Sequence, residues 1–186
     1  MNDNSIIDMF FARDERAITF SQEKFGKGCQ KIAYNILENS QDAEEVLSDV
    51  WLAAWNAIPP ERPCFLYAFL AKITRNLSIK KFRSRTALKR GKSTCEICLS
   101  ELSECIPDAS SVEKEVDEKE IAIIIDRFLR TLSPLERIVF IRRYWYIDSI
   151  DTIAHTFGFG QSKVKMMLLR TRKKLLNELI KEGVDL

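Results

Sequence analysis

The sequence predicts an all-α protein of two small helical domains joined by a flexible acidic linker, the second domain a helix-turn-helix. Three observations predict this. Apolar residues recur at helical spacing along most of the 186 residues, and no run alternates at period two for long. Six glycines and five prolines leave long stretches in which a helix can run unbroken. Charge falls in blocks that the formal net charge of +2 hides. From Lys72 to Lys92 there are nine lysines or arginines and no acid, and from Glu96 to Glu120 nine acids and two lysines. From Lys163 to Lys174 the chain is basic again. Two basic blocks around an acidic one suggest two contacts with a polyanion, the plain alternative being two solvated faces and a connector.

The elements follow in order. A helix is predicted over 18–37, ending at Glu38-Asn39-Ser40. The next begins near Asp42, where Asp42-Ala43-Glu44-Glu45 resembles a capping box, and stops at Pro59-Pro60. On a helical wheel it buries Val46, Leu47, Val50, Ala54 and Ile58. Its other side carries Glu44, Glu45, Ser48, Asp49, Leu52 and Trp55. Acids mixed with a leucine and an aromatic suit a protein-docking surface, unless Leu52 and Trp55 pack on a neighbouring helix.

A third helix runs from about Cys64 toward Arg85. Phe65, Leu66, Phe69, Leu70, Ile73 and Leu77 are its packing residues. Its second half brings Arg75, Asn76, Lys80, Lys81, Arg83 and Arg85 to the surface. The cations give salt-dependent phosphate affinity, and an asparagine among them can hydrogen-bond a base edge. Asn76 could equally be a surface residue with no partner.

Residues 91–113, rich in Ser, Thr, Cys and acids and containing Pro107, read as linker. The predicted division is therefore 1–90 for the first domain, 91–117 for the linker and 118–186 for the second. A helix over 116–130 comes next. Ser133-Pro134-Leu135-Glu136 is a strong start signal for a helix reaching about Tyr146, because Ser can cap, Pro suits the first helical position and Glu can reach back to the cap amide.

The stretch from Ile150 to Leu175 places two short apolar-periodic segments around Gly158-Phe159-Gly160. A short helix, a glycine turn and a basic helix make a helix-turn-helix, whose second helix enters the major groove. Val164, Leu168, Thr171 and Leu175 share one face of that helix. Lys163, Met166, Arg170 and Lys173 share the opposite one, and Lys165 and Arg172 complete the candidate contacts. An ordinary amphipathic helix with a solvated lysine face is the competing reading.

The N-terminal MNDNSIIDMFFARDER has acids where a signal peptide needs bases, and no apolar stretch approaches the ~20 residues of a spanning helix. A soluble cytoplasmic protein with no direct membrane insertion is expected. Five cysteines, an odd number, argue against a disulfide framework. Cys95-Glu96-Ile97-Cys98 has the spacing of half a zinc site and Cys105 follows. The lone histidine, His155, lies in the helix-turn-helix, so incidental thiols are preferred to a zinc or redox sensor. No catalytic constellation, metal or cofactor is expected.

Three stretches in order carry a family resemblance. DAEEVLSDVWLAAW, FLAKITRNLSIKKFRSR and LRTLSPLERIVFIRRYWYIDSIDTIAHTFGFGQSKVKMMLLRTRKKL together resemble the extracytoplasmic-function type of bacterial RNA polymerase sigma factor, over most of residues 20–180. The resemblance implies a protein that binds core RNA polymerase, opens promoter DNA at the minus-ten element and reads the minus-thirty-five element. Asp42, Ala43, Glu44, Asp49 and Trp55 match its polymerase-docking helix. Asn76 matches its base-engaging asparagine, and Arg75, Arg83 and Arg85 match its backbone-contacting basics. Val164, Lys165, Arg170 and Arg172 match its recognition helix. An anti-sigma factor, common in the family, is a further implied partner. This chain departs from the family at Lys80, where Asp is usual, at Met166 and Met167, which replace a small polar residue and an arginine, and in its turn at Gly160 and Ser162. The alternative function is a conventional helix-turn-helix regulator, for which the chain shows neither a dimerisation seam nor an effector pocket.

Overall fold

A computed structural model describes residues 2–86, 93–103 and 115–184, in nine helices among the described residues. The chain divides into two compact units, residues 1–91 and 92–186.

The first unit holds α1 (Asp3–Phe11), α2 (Arg16–Leu37), α3 (Ser40–Ala57) and α4 (Leu66–Thr86). Helix α1 follows from capping: Asn2 accepts a hydrogen bond from the Ser5 amide at 2.7 Å, and Ile6, Ile7 and Phe10 go into the core. The sequence pattern had no helix there, because nine residues span too few turns for periodicity to stand out. Helix α2 ends where Glu38 turns left-handed, at φ 51°. Asn39 then caps α3 by accepting from the Asp42 amide at 2.9 Å. Helix α3 thus starts two residues before Asp42, which serves as the capped residue and not the cap. It buries Ala43, Val46, Val50, Trp51 and Ala54, with Ile58 just beyond its end, while Leu47 is only half-buried.

The packing face of α4 differs from the expected one. Leu66, Leu70, Ala71, Thr74, Ser78 and Phe82 are buried; Phe69, Ile73 and Leu77 are half-buried, and Phe65 is 75% exposed. The buried row is set by i, i+4 steps through small hydroxyl residues that let α4 approach α2. Thr74 Oγ1 is satisfied by donating to the Leu70 carbonyl at 2.8 Å. At Gly28 of α2 a Cβ would lie 2.7 Å from the Tyr67 hydroxyl, so a larger residue would make the Tyr67 ring shift from where Phe25 stacks on it at 5.7 Å.

The second unit holds α5 (Thr94–Ser103), α6 (Glu115–Thr131), α7 (Pro134–Tyr144), α8 (Ile150–Phe157) and α9 (Gln161–Lys181). Helix α5 corrects the expected linker: within 91–117, residues 94–103 are helical and pack on α7. Ser93 and Glu96 exchange hydrogen bonds, each 3.2 Å, in a capping box, and Cys95 and Cys98 are buried. A capping signal inside a Ser- and Cys-rich stretch was masked by its composition. Cys105, Pro107 and the rest of 104–114 lie outside the described residues.

The capping box of α7 forms as the sequence predicts, with Ser133 and Glu136 bonded reciprocally. The helix stops at Tyr144, two residues short of Tyr146, and Ile147 takes φ 56°. Phe128, Phe140 and Tyr144 form an aromatic chain, with centroids 6.5 and 4.6 Å apart. Helix α9 lies against α6, α7 and α8 through Val164, Leu168, Thr171, Leu175 and Leu179, all buried.

Glu136 links this cap to α9. Lys174 donates to it at 2.7 Å and Ser133 adds another bond, which together lower its pKa to about 2. A carboxylate with a depressed folded-state pKa contributes stability above its unfolded value, and that stability is lost as pH falls through the folded pKa. The expected outcome is loss of stability as the pH drops from about 4.5 to about 2. Urea unfolding across that range should show a shallower decline in Glu136→Gln; an identical decline in both proteins would exclude this group as the source.

Candidate nucleic-acid interface

Helix α4 carries no acid, and its periodicity sorts the basic side chains into two sets. Lys72, Asn76, Lys80 and Arg83 are exposed, and Arg75 is half-buried. Lys81 and Arg85 turn toward α3 instead. Arg85 donates to Asp42 and to the Leu37 carbonyl, both at 2.6 Å. Lys81 lies 2.6 Å from Glu45 and 3.5 Å from Asp42. Glu45 foremost holds the Lys81 ammonium above the ordinary lysine range, against a smaller effect of burial. Lys81 and Arg85, read from the sequence as surface cations, are held in ion pairs that bind α4 to the start of α3. Asp42 and Glu45, read as part of a docking face, are their partners. The alternation of charge gave no signal for this, because the partners sit on another helix.

The rest of the α3 face remains outward. Glu44, Ser48 and Asp49 are exposed and Leu52 is 60% exposed. Trp55 is half-buried at its edge, with its ring 6.1 Å from Phe10 and the Arg13 guanidinium 5.2 Å above it. Arg13 also donates to the Trp55 carbonyl at 2.6 Å.

In the second unit the glycine turn is built as the sequence predicts. Ser149 caps α8 by accepting from the Thr152 amide. Gly158 closes it at φ 64°, a left-handed position that suits glycine, and Gly160 precedes α9 as a cap with no side-chain bond. Lys163, Lys165, Met166, Arg170 and Lys173 are all exposed on α9. The Lys163 ammonium rests 3.6 Å from the Phe159 ring centroid, which orients it beside the turn.

Arg172 is the exception among the predicted contacts, with its side chain only 13% exposed. It donates to the Tyr144 hydroxyl at 2.7 Å and lies 3.5 Å from Glu101 of α5. Glu101 also accepts from Arg143 at 3.0 and 3.2 Å and from Tyr144 at 2.9 Å. Burial works against the charge on Arg143, and the Glu101 carboxylate outweighs it, so its pKa stands above the ordinary arginine value. Burial above all pushes the Tyr144 phenol up, leaving it a neutral relay between carboxylate and guanidinium. Arg172 lies one step around the helix from the exposed basic row, and its wheel position beside Leu168 and Leu175 could have shown that it turns inward.

Cys98 Sγ lies 3.4 Å from the Arg143 carbonyl, so α5 packs its thiols into this unit. Among the described residues no group of three or more His, Cys, Asp or Glu side chains could hold a metal ion. Among them, too, no helix is long and apolar enough to cross a membrane.

An all-helical chain with exposed basic faces on α4 and α9 has the surface of a nucleic-acid-binding protein. Residues 23–87, which span most of α2, all of α3 and α4, match the family described as Sigma-70 region 2. Residues 23–87 thus form a sigma-70 region 2 domain, which implies a sigma factor, a protein that binds core RNA polymerase for promoter recognition. No curated protein matches the chain.

Removing Glu101 leaves Arg143 and Arg172 facing each other in a largely dry site. Glu101→Ala should cost about 3–5 kcal/mol of stability, whereas apolar replacement of the whole Glu101, Arg143 and Arg172 set should cost far less. Urea unfolding of the variants measures both, and a loss under about 1 kcal/mol for Glu101→Ala would refute the network's role.

Proposed function

We propose that this sigma factor is of the extracytoplasmic-function type, working in the cytoplasm and open to an anti-sigma factor. The observation that carries the reading is the order of the units: a region 2 domain in the first is followed by a helix-turn-helix in the second. Glu44, Asp49, Leu52 and the edge of Trp55 dock on core polymerase. Arg75, Asn76, Lys80 and Arg83 of α4 engage the minus-ten element, with Asn76 holding an unpaired base. Lys163, Lys165, Met166, Arg170 and Lys173 of α9 engage the minus-thirty-five duplex.

Lys81 and Arg85 act on the minus-ten face indirectly, by tying α4 to Asp42 and Glu45. Arg172 likewise supports α9 from beneath. An anti-sigma factor would compete with polymerase for the acidic and apolar face of α3. The mechanism is binding throughout: phosphate contacts set affinity and register, and a few neutral side chains choose the sequence.

Co-purification with core polymerase, followed by run-off transcription on a promoter library, tests the reading. A chain that binds duplex DNA but not core polymerase would instead be a conventional regulator. Asn76→Ala should lower open-complex formation at a selected promoter by about 5- to 150-fold, the worth of ~1–3 kcal/mol, and leave core binding intact. Lys163→Ala with Arg170→Ala should flatten the salt dependence of minus-thirty-five duplex binding, lowering the log–log slope by about 2. An unchanged slope would remove these two cations from the interface.

A further inference from the structure

Helix α1 ends in a turn whose left-handed residue is an arginine. The Arg13 amide donates to the Phe10 carbonyl at 3.1 Å and the Asp14 amide to the Met9 carbonyl at 3.0 Å, with Arg13 at φ 54°. This pair of bonds marks a helix end at which glycine is the usual occupant, because a Cβ is disfavoured at that φ. Gly158 takes a left-handed φ of this kind after α8. An arginine at such a place carries a backbone cost that its side chain has to offset.

The side chain crosses to the end of α3. Its guanidinium donates to the Trp55 carbonyl at 2.6 Å and lies 5.2 Å over the Trp55 ring. That carbonyl belongs to the last turn of α3, where the final carbonyls have no partner within the helix. The same turn holds no basic residue of its own. Arg13 supplies the donor and the charge from the end of another helix. The fully buried Phe10 ring lies 6.1 Å from the same indole, so α1 and its turn hold Trp55 by two contacts. Leu52, 60% exposed, is the neighbour of Trp55 one turn back.

We infer that Arg13 is a positioning residue for polymerase docking, setting the plane of the Trp55 ring before the partner arrives. The inference rests on the docking role proposed for Trp55 and adds the group that holds its ring ready. A ring already held in one orientation loses less freedom on binding, and the difference appears as affinity. A purely structural need would not select arginine here. Glycine suits the backbone better, and an exposed guanidinium contributes little to stability. Arg13 and the whole of α1 also precede residues 23–87, so this support comes from outside the matched region 2 domain.

The test makes Arg13→Gly and Trp55→Ala in the full chain, singly and together, and titrates each variant against core polymerase. Trp55→Leu replaces Trp55→Ala if the latter does not fold. Arg13→Gly should melt at or above the wild-type temperature, since it relieves the turn, and yet bind core about 3- to 10-fold more weakly. Trp55→Ala should weaken core binding at least as much, and adding Arg13→Gly to it should change binding by less than about twofold. In chains labelled with fluorotryptophan, the Trp55 resonance is identified by its loss in Trp55→Phe. It should move in Arg13→Gly while those of Trp51 and Trp145 stay. Independent losses in the double variant, a lowered melt for Arg13→Gly, or an unmoved Trp55 resonance would overturn the positioning role, the first assigning Arg13 a polymerase contact of its own. If Trp55→Ala binds core as wild type does, the docking reading of Trp55 falls and this inference with it. If Trp55→Ala weakens binding and Arg13→Gly does not, only the role of Arg13 falls.

Discussion

A half-buried carboxylate held between two cations from other helices organises each unit. In the first, Asp42 at the start of α3 takes Arg85 and Lys81 of α4. In the second, Glu101 of α5 takes Arg143 of α7 and Arg172 of α9. In both, a neutral or anionic oxygen absorbs the excess positive charge: the Leu37 carbonyl and Glu45 in one, the Tyr144 hydroxyl in the other. Such pairs are strong only when every charge is matched, so each acid fixes two side chains and thereby two helices. The exposed faces of α3 and α4, proposed to meet polymerase and DNA, therefore share one frame, and a shift in one face moves the other.

The same pairing decides which cations remain for DNA. A helix turns 100° per residue, so neighbours in a basic run point to different environments. Lys80 and Lys81 are adjacent, yet one is exposed and the other bridges Asp42 and Glu45. Arg172 and Lys173 divide in the same way on α9. A basic block in sequence overstates the basic area of the surface, because part of it neutralises the protein's own acids.

Local physics was the legible part of this chain. The Ser133 to Glu136 capping box, the Gly158 turn and the buried row Val164, Leu168, Thr171 and Leu175 each depend on residues within about three turns. What the sequence did not reveal depends on distant partners. The Arg85 to Asp42 bond spans 43 residues, and nothing near Arg85 marks it. Helix α5 was hidden because its composition resembles a linker while its burial comes from α7, a tertiary effect. On α4 the six apolar residues suggested a face, but close approach to α2 favoured Thr74 and Ser78 over Phe65. Packing rewarded small size over hydrophobicity, and this left the ring of Phe65 in solvent.

Once the structural cations are set aside, the two basic faces have a common design. On α4 the exposed ridge holds Lys72, Lys80 and Arg83 around neutral Asn76; on α9, Lys163, Lys165, Arg170 and Lys173 surround neutral Met166, 47% exposed. Cations bind phosphate wherever it runs and so supply affinity with little preference for sequence. Preference has to come from the neutral group among them. An asparagine amide pairs with a base edge by hydrogen bonds, whereas a thioether can touch a thymine methyl but cannot make a bidentate contact with guanine. On the proposed function the two units would divide the work unevenly: α4 offers unpaired bases a polar contact, and α9 offers intact duplex an apolar one. Under the proposed minus-thirty-five role of α9, preference at that position would come from shape and a methyl group rather than from a hydrogen-bonded guanine.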